Sequence, residues 1–223
     1  VIDFWTPVSG SRAGEVVADW VWGWALSRGA PDPVTEPDGY RIDVGLPEHR
    51  VRYVLPDPSS VGPRAAELTE PGTWLKVCGS PEQVRAGLSS RWTIGAPEYL
   101  MSTELGTHPP TIPPDPYTLE LRSTGDVHDA VVRTAGGECA AKGRVAVRGG
   151  AAVIDMVETD PAHRRRGLGS VVMSELTHVA SVRCAVRAVL VATEAGLALY
   201  EKLGWTVESP ITAAHLAAAP TLR

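Results

Sequence analysis

The chain has 223 residues, of which 43% are hydrophobic, and carries 21 basic against 26 acidic side chains for a formal net charge of −5. That length holds one large domain or two small ones. The acidic balance excludes general nucleic-acid binding, which needs a basic surface. No apolar run is long enough to span a bilayer, so no membrane partner is expected.

In chain order, residues 15–27 read as a helix with Val16, Val17, Trp20, Val21 and Trp24 on one face, stopped by Gly29. Trp20 and Trp24 read as core, while Trp22 lies off that face and is free for another role. Residues 40–44 and 50–55 alternate in the manner of strands around Gly45-Leu46-Pro47-Glu48, which predicts a hairpin. A short strand is expected at 74–77. Ser80-Pro81-Glu82 then has the form of an N-cap with proline at the first helical position. Residues 91–94 and 98–101 read as closing strands.

Five prolines fall within residues 107–116. Such a segment cannot join a helix or a central strand, and the domain boundary is expected there. The division is a smaller N-terminal α/β lobe over 1–106, a linker over 107–116 and a second domain over 117–223. Beyond the linker come strand-like runs at 117–122, 127–134, 138–148 and 151–158, with Gly136-Gly137 and Gly149-Gly150 as turn signals. A helix at 170–182, a strand at 185–192, a helix at 195–203 ended by Gly204 and a strand at 205–208 complete an α/β pattern with a mixed sheet.

Between the fourth of those runs and the helix lies Arg164-Arg165-Arg166-Gly167-Leu168-Gly169-Ser170. A turn rich in arginine and glycine at a helix start suits phosphate. Glycine allows close backbone approach, the first helical turn leaves N–H donors unpaired, and the helix dipole adds in the same place. Alternatively, three adjacent arginines read as a solvated basic face.

Arg164-x-x-Gly167-x-Gly169 resembles the Gln/Arg-x-x-Gly-x-Gly/Ala signature of the GCN5-related N-acetyltransferases (GNAT superfamily). Glu194-Ala195-Gly196-Leu197-Ala198-Leu199-Tyr200-Glu201-Lys202-Leu203-Gly204-Trp205 is similar to the second signature of that family. The resemblance covers 117–210 and implies a GNAT-like mixed central sheet flanked by helices. It further implies a β-bulge near Glu158 that splays two parallel strands, so that the pantetheine arm of acetyl-CoA pairs with the backbone of Val157, Glu158 and Thr159. Pyrophosphate would then rest on the amides of Arg165, Arg166, Gly167, Leu168, Gly169 and Ser170, beside Arg164. In the family the residue matching Tyr200 protonates the departing thiolate.

The acceptor implied is a primary amine of a small molecule, attacked directly. Glu158 and Asp155 are candidates to take its proton, with His128 and His163 as further proton acceptors. Thr193 stands where the family often has a cofactor-contacting asparagine. A four-residue connection, 123–126, replaces two helices that usually wall the acceptor site, which turns attention to the helix at 15–27. Another acyl donor, a carrier protein or a charged tRNA, and a non-catalytic CoA-binding module are the competing readings. Oligomeric state is left open.

Two further features bear on history and location. Trp74-Leu75-Lys76-Val77, a helix and Arg91-Trp92-Thr93-Ile94 echo Ala188-Val189-Leu190-Val191, a helix and Gly204-Trp205-Thr206-Val207, so the first half reads as a possible degenerate copy of the second. Cys78, Cys139 and Cys184 are an odd set at wide spacings, expected to be reduced thiols buried as small hydrophobes in a cytoplasmic protein. Val1 to Trp5 shows neither the basic flank nor the apolar core of a leader. Arginine, alanine, glycine and proline are abundant and lysine occurs only at positions 76, 142 and 202, a bias expected of a GC-rich bacterial genome.

Overall fold

The computed structural model describes residues 12–107 and 109–216. Helix α1 (Arg12–Arg28) leads into β1 (Val34–Glu36), β2 (Gly39–Leu46) and β3 (His49–Leu55). Next come α2 (Val61–Glu67), β4 (Thr73–Cys78), α3 (Pro81–Ala86), β5 (Trp92–Ile94) and β6 (Glu98–Glu104). After the proline-rich segment follow β7 (Thr118–Thr124), β8 (Val127–Arg133), β9 (Cys139–Arg148) and β10 (Ala151–Thr159). Helix α4 (Leu168–Val182), β11 (Arg187–Thr193), α5 (Glu194–Lys202) and β12 (Thr206–Leu216) end the fold. It is a mixed α/β fold with a large central sheet flanked by helices.

Local chemistry accounts for the ends of several elements. Gly29 takes φ +62°, its N–H donates to Leu26 O, and Ala30 N–H donates to Ala25 O at 3.0 Å. This left-handed cap closes α1. Ser80 caps α3 in a reciprocal capping box with Gln83. Helix α2, which the sequence analysis did not place, contains Gly62 and Pro63. Proline in a first helical turn removes no needed donor, and Val61 and Ala65 are buried beneath the helix. Strand β12 runs to Leu216, well past the expected end, because its second half finds partners in β4 and β5.

All strands lie in one sheet of order β1-β2-β3-β4-β12-β6-β11-β10-β9-β8-β7, with β5 beside β12. Read inward from either side, the pattern is the same. An antiparallel pair (β2–β3 or β9–β10) is followed by a parallel neighbour (β4 or β11), then an antiparallel one (β12 or β6). The central strands are exchanged: β6 pairs with β11 of the second half, and β12 pairs with β4 of the first. The expected lobe 1–106 and the expected domain 117–223 therefore share a single sheet, with β6 lying between β11 and β12.

Helices cover both faces. On one, α4 and α5 seal the second half through Leu168, Val172, Met173, Leu176 and Tyr200. On the same face α2 and α3 cover the first half with Val61, Ala65 and Val84. Among the described residues the other face has only α1, whose Val16, Val17, Trp20, Val21 and Trp24 pack on Tyr40, Ile42, Val54, Leu100, Val153, Val189 and Ile211. Two glycines permit close packing of a helix on the sheet. A Cβ on Gly23 would fall 2.2 Å from Val153 Cγ2, and one on Gly143 would fall 2.7 Å from Val172 Cγ1.

Candidate functional site

Strands β10 and β11 are parallel and pair only over Ala151–Val153 with Arg187–Val189. Beyond that point they separate. The cause lies in β10: between Asp155 and Glu158 three steps on β10 match two on β9, from Arg144 to Lys142. The extra residue is a β-bulge, with Met156 at φ +56° and its N–H bonded to Asp155 Oδ1 at 2.8 Å. Val157, Glu158 and Thr159 thus have no β11 partner, and their strand edge faces an open wedge.

The wedge ends at the arginine-glycine turn. Asp160 opens a single 3-10 turn at 161–163 by accepting Ala162 N–H. The chain then reverses through left-handed conformations at Arg165 (φ +61°) and Gly167 (φ +78°), and α4 begins. Its first intrahelical bond is Val171 N–H to Gly167 O, so the amides of Leu168, Gly169 and Ser170 lie in the turn that leaves donors free. None of Arg164, Arg165 and Arg166 is ion-paired among the described residues. Arg164 donates to Thr159 O at 3.2 Å and Arg166 to Tyr117 Oη at 2.9 Å, leaving Arg165 without a polar partner among the described residues. Leu168 is buried, so only its backbone is available to an anion. A Cβ on Gly169 would sit 3.2 Å from Leu199 Cδ2 and 3.6 Å from Thr159 Oγ1, which assigns that glycine to helix packing.

Tyr200, on α5, is 8% exposed, and burial, with Asp155 as a lesser cause, pushes its phenol up to about 12. It is therefore a protonated donor at every working pH. Thr193 lies exposed at the end of β11, opposite Glu98 of β6, and its side chain makes no cap bond.

Residues 98–205 match the acetyltransferase (GNAT) family, so the match opens with β6, ahead of the proline-rich segment. This segment belongs to the GNAT family. Solved structures with a similar fold include a GCN5-related N-acetyltransferase from Kribbella flavida, at 18% identity and TM-score 0.67, covering 96% of this chain and 98% of that one. A putative GNAT-family acetyltransferase from Novosphingobium aromaticivorans has 19% identity and TM-score 0.56, covering 91% and 99%. A tandem GNAT protein from the clavulanic acid biosynthesis pathway has 13% identity and TM-score 0.50, covering 66% of this chain and 65% of that one. No curated protein matches the chain.

Several candidates are placed differently from what the GNAT resemblance led us to expect. Glu158 is not desolvated: its side chain is 67% exposed and pairs with Lys142 at 3.1 Å. Asp155 is held by Arg28, at 2.5 Å and 3.0 Å, and by the Ser27 hydroxyl at 3.2 Å, so α1 is tied to the bulge. His128 is buried in the β7–β8 hairpin with Nδ1 2.7 Å from Ser123 Oγ, away from the wedge, and burial lowers its pKa. His163 lies in the turn, Nδ1 2.9 Å from Tyr117 Oη. Cys78 is buried as expected, and burial pushes its thiol up to about 12, but Cys139 and Cys184 are exposed. Trp22 lies under the Arg148 guanidinium at 4.0 Å and lines a cavity of about 430 Å³. That cavity is bounded by Ala151 and Arg187, the first residues of β10 and β11, at the opposite end from the wedge.

The open part of the GNAT sheet face beside α1 holds groups that motif reading missed. Trp24 lies between two guanidiniums, Arg28 at 5.6 Å and Arg52 at 3.8 Å from its ring. Trp24, His49, Trp74 and His215 form a chain of ring contacts, the last pair stacked at 4.6 Å. Lys76, 6% exposed, pairs with Glu98. Arg52, 7% exposed, donates through Nε to His49 Nε2 at 3.3 Å. Burial and then Arg52 push His49 down to about 4, so its ring is neutral and able to accept that bond. The available signal was alternation: Arg52 stands two residues before inward-facing Val54, and Lys76 two before Cys78.

Proposed function

We propose that the protein is an acetyl-CoA-dependent N-acetyltransferase acting on a primary amine of a small molecule. The observation that carries this reading is the bulge at Met156 beside a wedge that ends on the Gly167 turn. An extended arm can pair with the free edge of Val157 to Thr159 while a pyrophosphate rests on the amides of Leu168 to Ser170 and attracts Arg164, Arg165 and Arg166. The unpaired arginines and the open strand edge fit such a donor. The thioester supplies an acetyl group activated for attack by an amine.

The chain's own work is positioning and proton transfer. Backbone N–H groups at the bulge hold the thioester carbonyl oxygen as negative charge develops on it. Tyr200, protonated and beside the wedge, gives its proton to the departing sulfur. Glu158, exposed at the wedge edge and paired there with the half-exposed Lys142, takes the ammonium proton through water, whereas Asp155 is held by two bonds from Arg28 and one from Ser27. Thr193, at the end of β11, offers a hydroxyl to the donor's arm.

We assign residues 39–94 to a degenerate second copy of the transferase fold, on the strength of the mirrored strand order. Three unpaired cysteines, two of them exposed, support a cytoplasmic setting, and no helix among the described residues is long and apolar enough to cross a membrane. Thiol release from acetyl-CoA across a panel of amines tests the activity. Turnover with at least one amine is the expected result. Binding of acetyl-CoA with no turnover on any amine would leave a CoA-binding module in place of an enzyme.

A further inference from the structure

The sheet face beside α1 carries three cations and two carboxylates in contact with one another. Arg28 is paired with Asp155, and Lys76 with Glu98. Arg52 is left over: no carboxylate among the described residues lies within ion-pair distance of it. It is nevertheless buried, with Trp24 over its guanidinium and His49 on its Nε. A buried cation without a counter-ion is costly, and an anion that pairs with it removes that cost. Burial lowers the Arg52 pKa to about 10, while Glu98 and, more weakly, Asp155 act the other way from beyond ion-pair distance.

We propose that Arg52 is the recognition residue for a carboxylate on the acceptor, so that the substrate is an aminocarboxylate such as a free amino acid. This rests on the transferase reading above. With Nε given to His49, the two Nη groups remain as a flat fork, the geometry that matches a planar carboxylate bidentately. The aromatic chain of Trp24, His49, Trp74 and His215 supplies walls for the body of the molecule. The amine is directed back toward the wedge, since Trp24 bridges from Arg52 to Arg28, and Arg28 grips Asp155 at the bulge.

The test compares wild type with Arg52→Met, which keeps the side chain's bulk and removes its charge. Free amino acids, their carboxamides and phosphoethanolamine are offered as acceptors, and thiol release is followed with acetyl-CoA saturating. In the wild type the acids are expected to be favoured over their amides in kcat/KM by about 30-fold or more, the scale of a charge-assisted bond. In Arg52→Met that ratio falls toward one, chiefly through KM. Thermal stability without ligand is expected to hold or rise in Arg52→Met, because an unpaired buried charge is removed; a structural ion-pair role would lower it.

Equal use of acids and amides by wild type, or a preference for phosphoethanolamine, overturns the proposal. Direct calorimetry of the same amino acids, without acetyl-CoA, separates the two readings. Acids that bind wild type and not Arg52→Met, in a protein that releases no thiol, uphold the carboxylate site and remove the transferase. Turnover of amines with no dependence on Arg52 does the reverse.

Discussion

The two halves of the sheet share a plan, and they diverge at one junction. In the first, Asp57-Pro58 opens a 3-10 turn at 58–60, with Asp57 accepting Ser59 N–H at 2.8 Å, and α2 starts at once with Val61. In the second, Asp160-Pro161 opens the equivalent turn with the same bond, Ala162 N–H to Asp160 at 2.8 Å, but residues 164–167 intervene before α4. Those inserted residues are the arginines and the left-handed glycine. The strands differ in the same sense. The β3–β4 pairing holds from Val51 to Leu55, to the end of β3, whereas β10 and β11 part after three paired residues. A bulge and a short insertion thus convert a closed parallel pair into a wedge that ends on the free amides at the start of α4. The half without them keeps its parallel pair closed, with Arg52 and Lys76 buried on the face beside α1.

The largest effect should come from the residue that only the second half can use. Tyr200→Phe removes one hydroxyl from a packed ring and is expected to lower kcat by roughly 10²- to 10³-fold with little change in acetyl-CoA affinity. Because the phenol is raised to about 12, the wild-type pH–rate profile should show no loss of activity from Tyr200 deprotonation below that value. Wild-type turnover in the Phe variant would leave the tyrosine as a packing residue.

Next is the inserted turn itself. Gly167→Asp places a carboxylate beside the free amides; the φ of +78° strains any side chain by about 1–2 kcal/mol, but aspartate is among the few residues that adopt it and its Cβ meets nothing within 4 Å, so the helix should form in a somewhat less stable protein. Acetyl-CoA affinity should weaken by roughly 100-fold from like-charge repulsion. Ser60→Asp, at the matching junction of the first half, should leave that affinity unaltered; calorimetry on both reads the contrast.

The helix that spans the halves offers a stability test. In Gly23→Ala the new methyl collides with Val153, and α1 must lift from β10. Overpacking of this kind costs about 1–3 kcal/mol, offset in part by alanine's better helix propensity, and denaturant unfolding measures the net loss.

A smaller effect is expected from His49. Its folded pKa is depressed to about 4 from 6.5, chiefly by burial, so the unfolded chain binds the proton first as pH falls. Stability should decline from about pH 6.5 down to about 4. His49→Gln should flatten that segment of the curve, while an unaltered slope would show that other groups set it.

Much of this was legible in the chain. Alternation and glycine placement located most strands, and Arg164 to Gly169 with Leu199 to Trp205 pointed to the fold and the wedge before any coordinates. What escaped is instructive. The strand exchange of β6 and β12 was hidden because pairing partners distant in sequence leave no local mark. The proline-rich segment looked like a boundary between lobes, yet it runs from the central strand β6 to the edge strand β7 of the same sheet. Gly169 matched a phosphate motif while its open side faces Leu199. Arg52 lay in a run, Arg50 to Arg52, that reads as a polar edge, and only burial shows that its charge is enclosed.

A calorimetric titration of the chain with acetyl-CoA tests most directly whether the inserted turn and the bulge, and not the shared fold, make the donor site. One site per chain in wild type, lost in Gly167→Asp and kept in Ser60→Asp, is the result this account predicts. Two sites per chain, or a single site indifferent to Gly167, would contradict it.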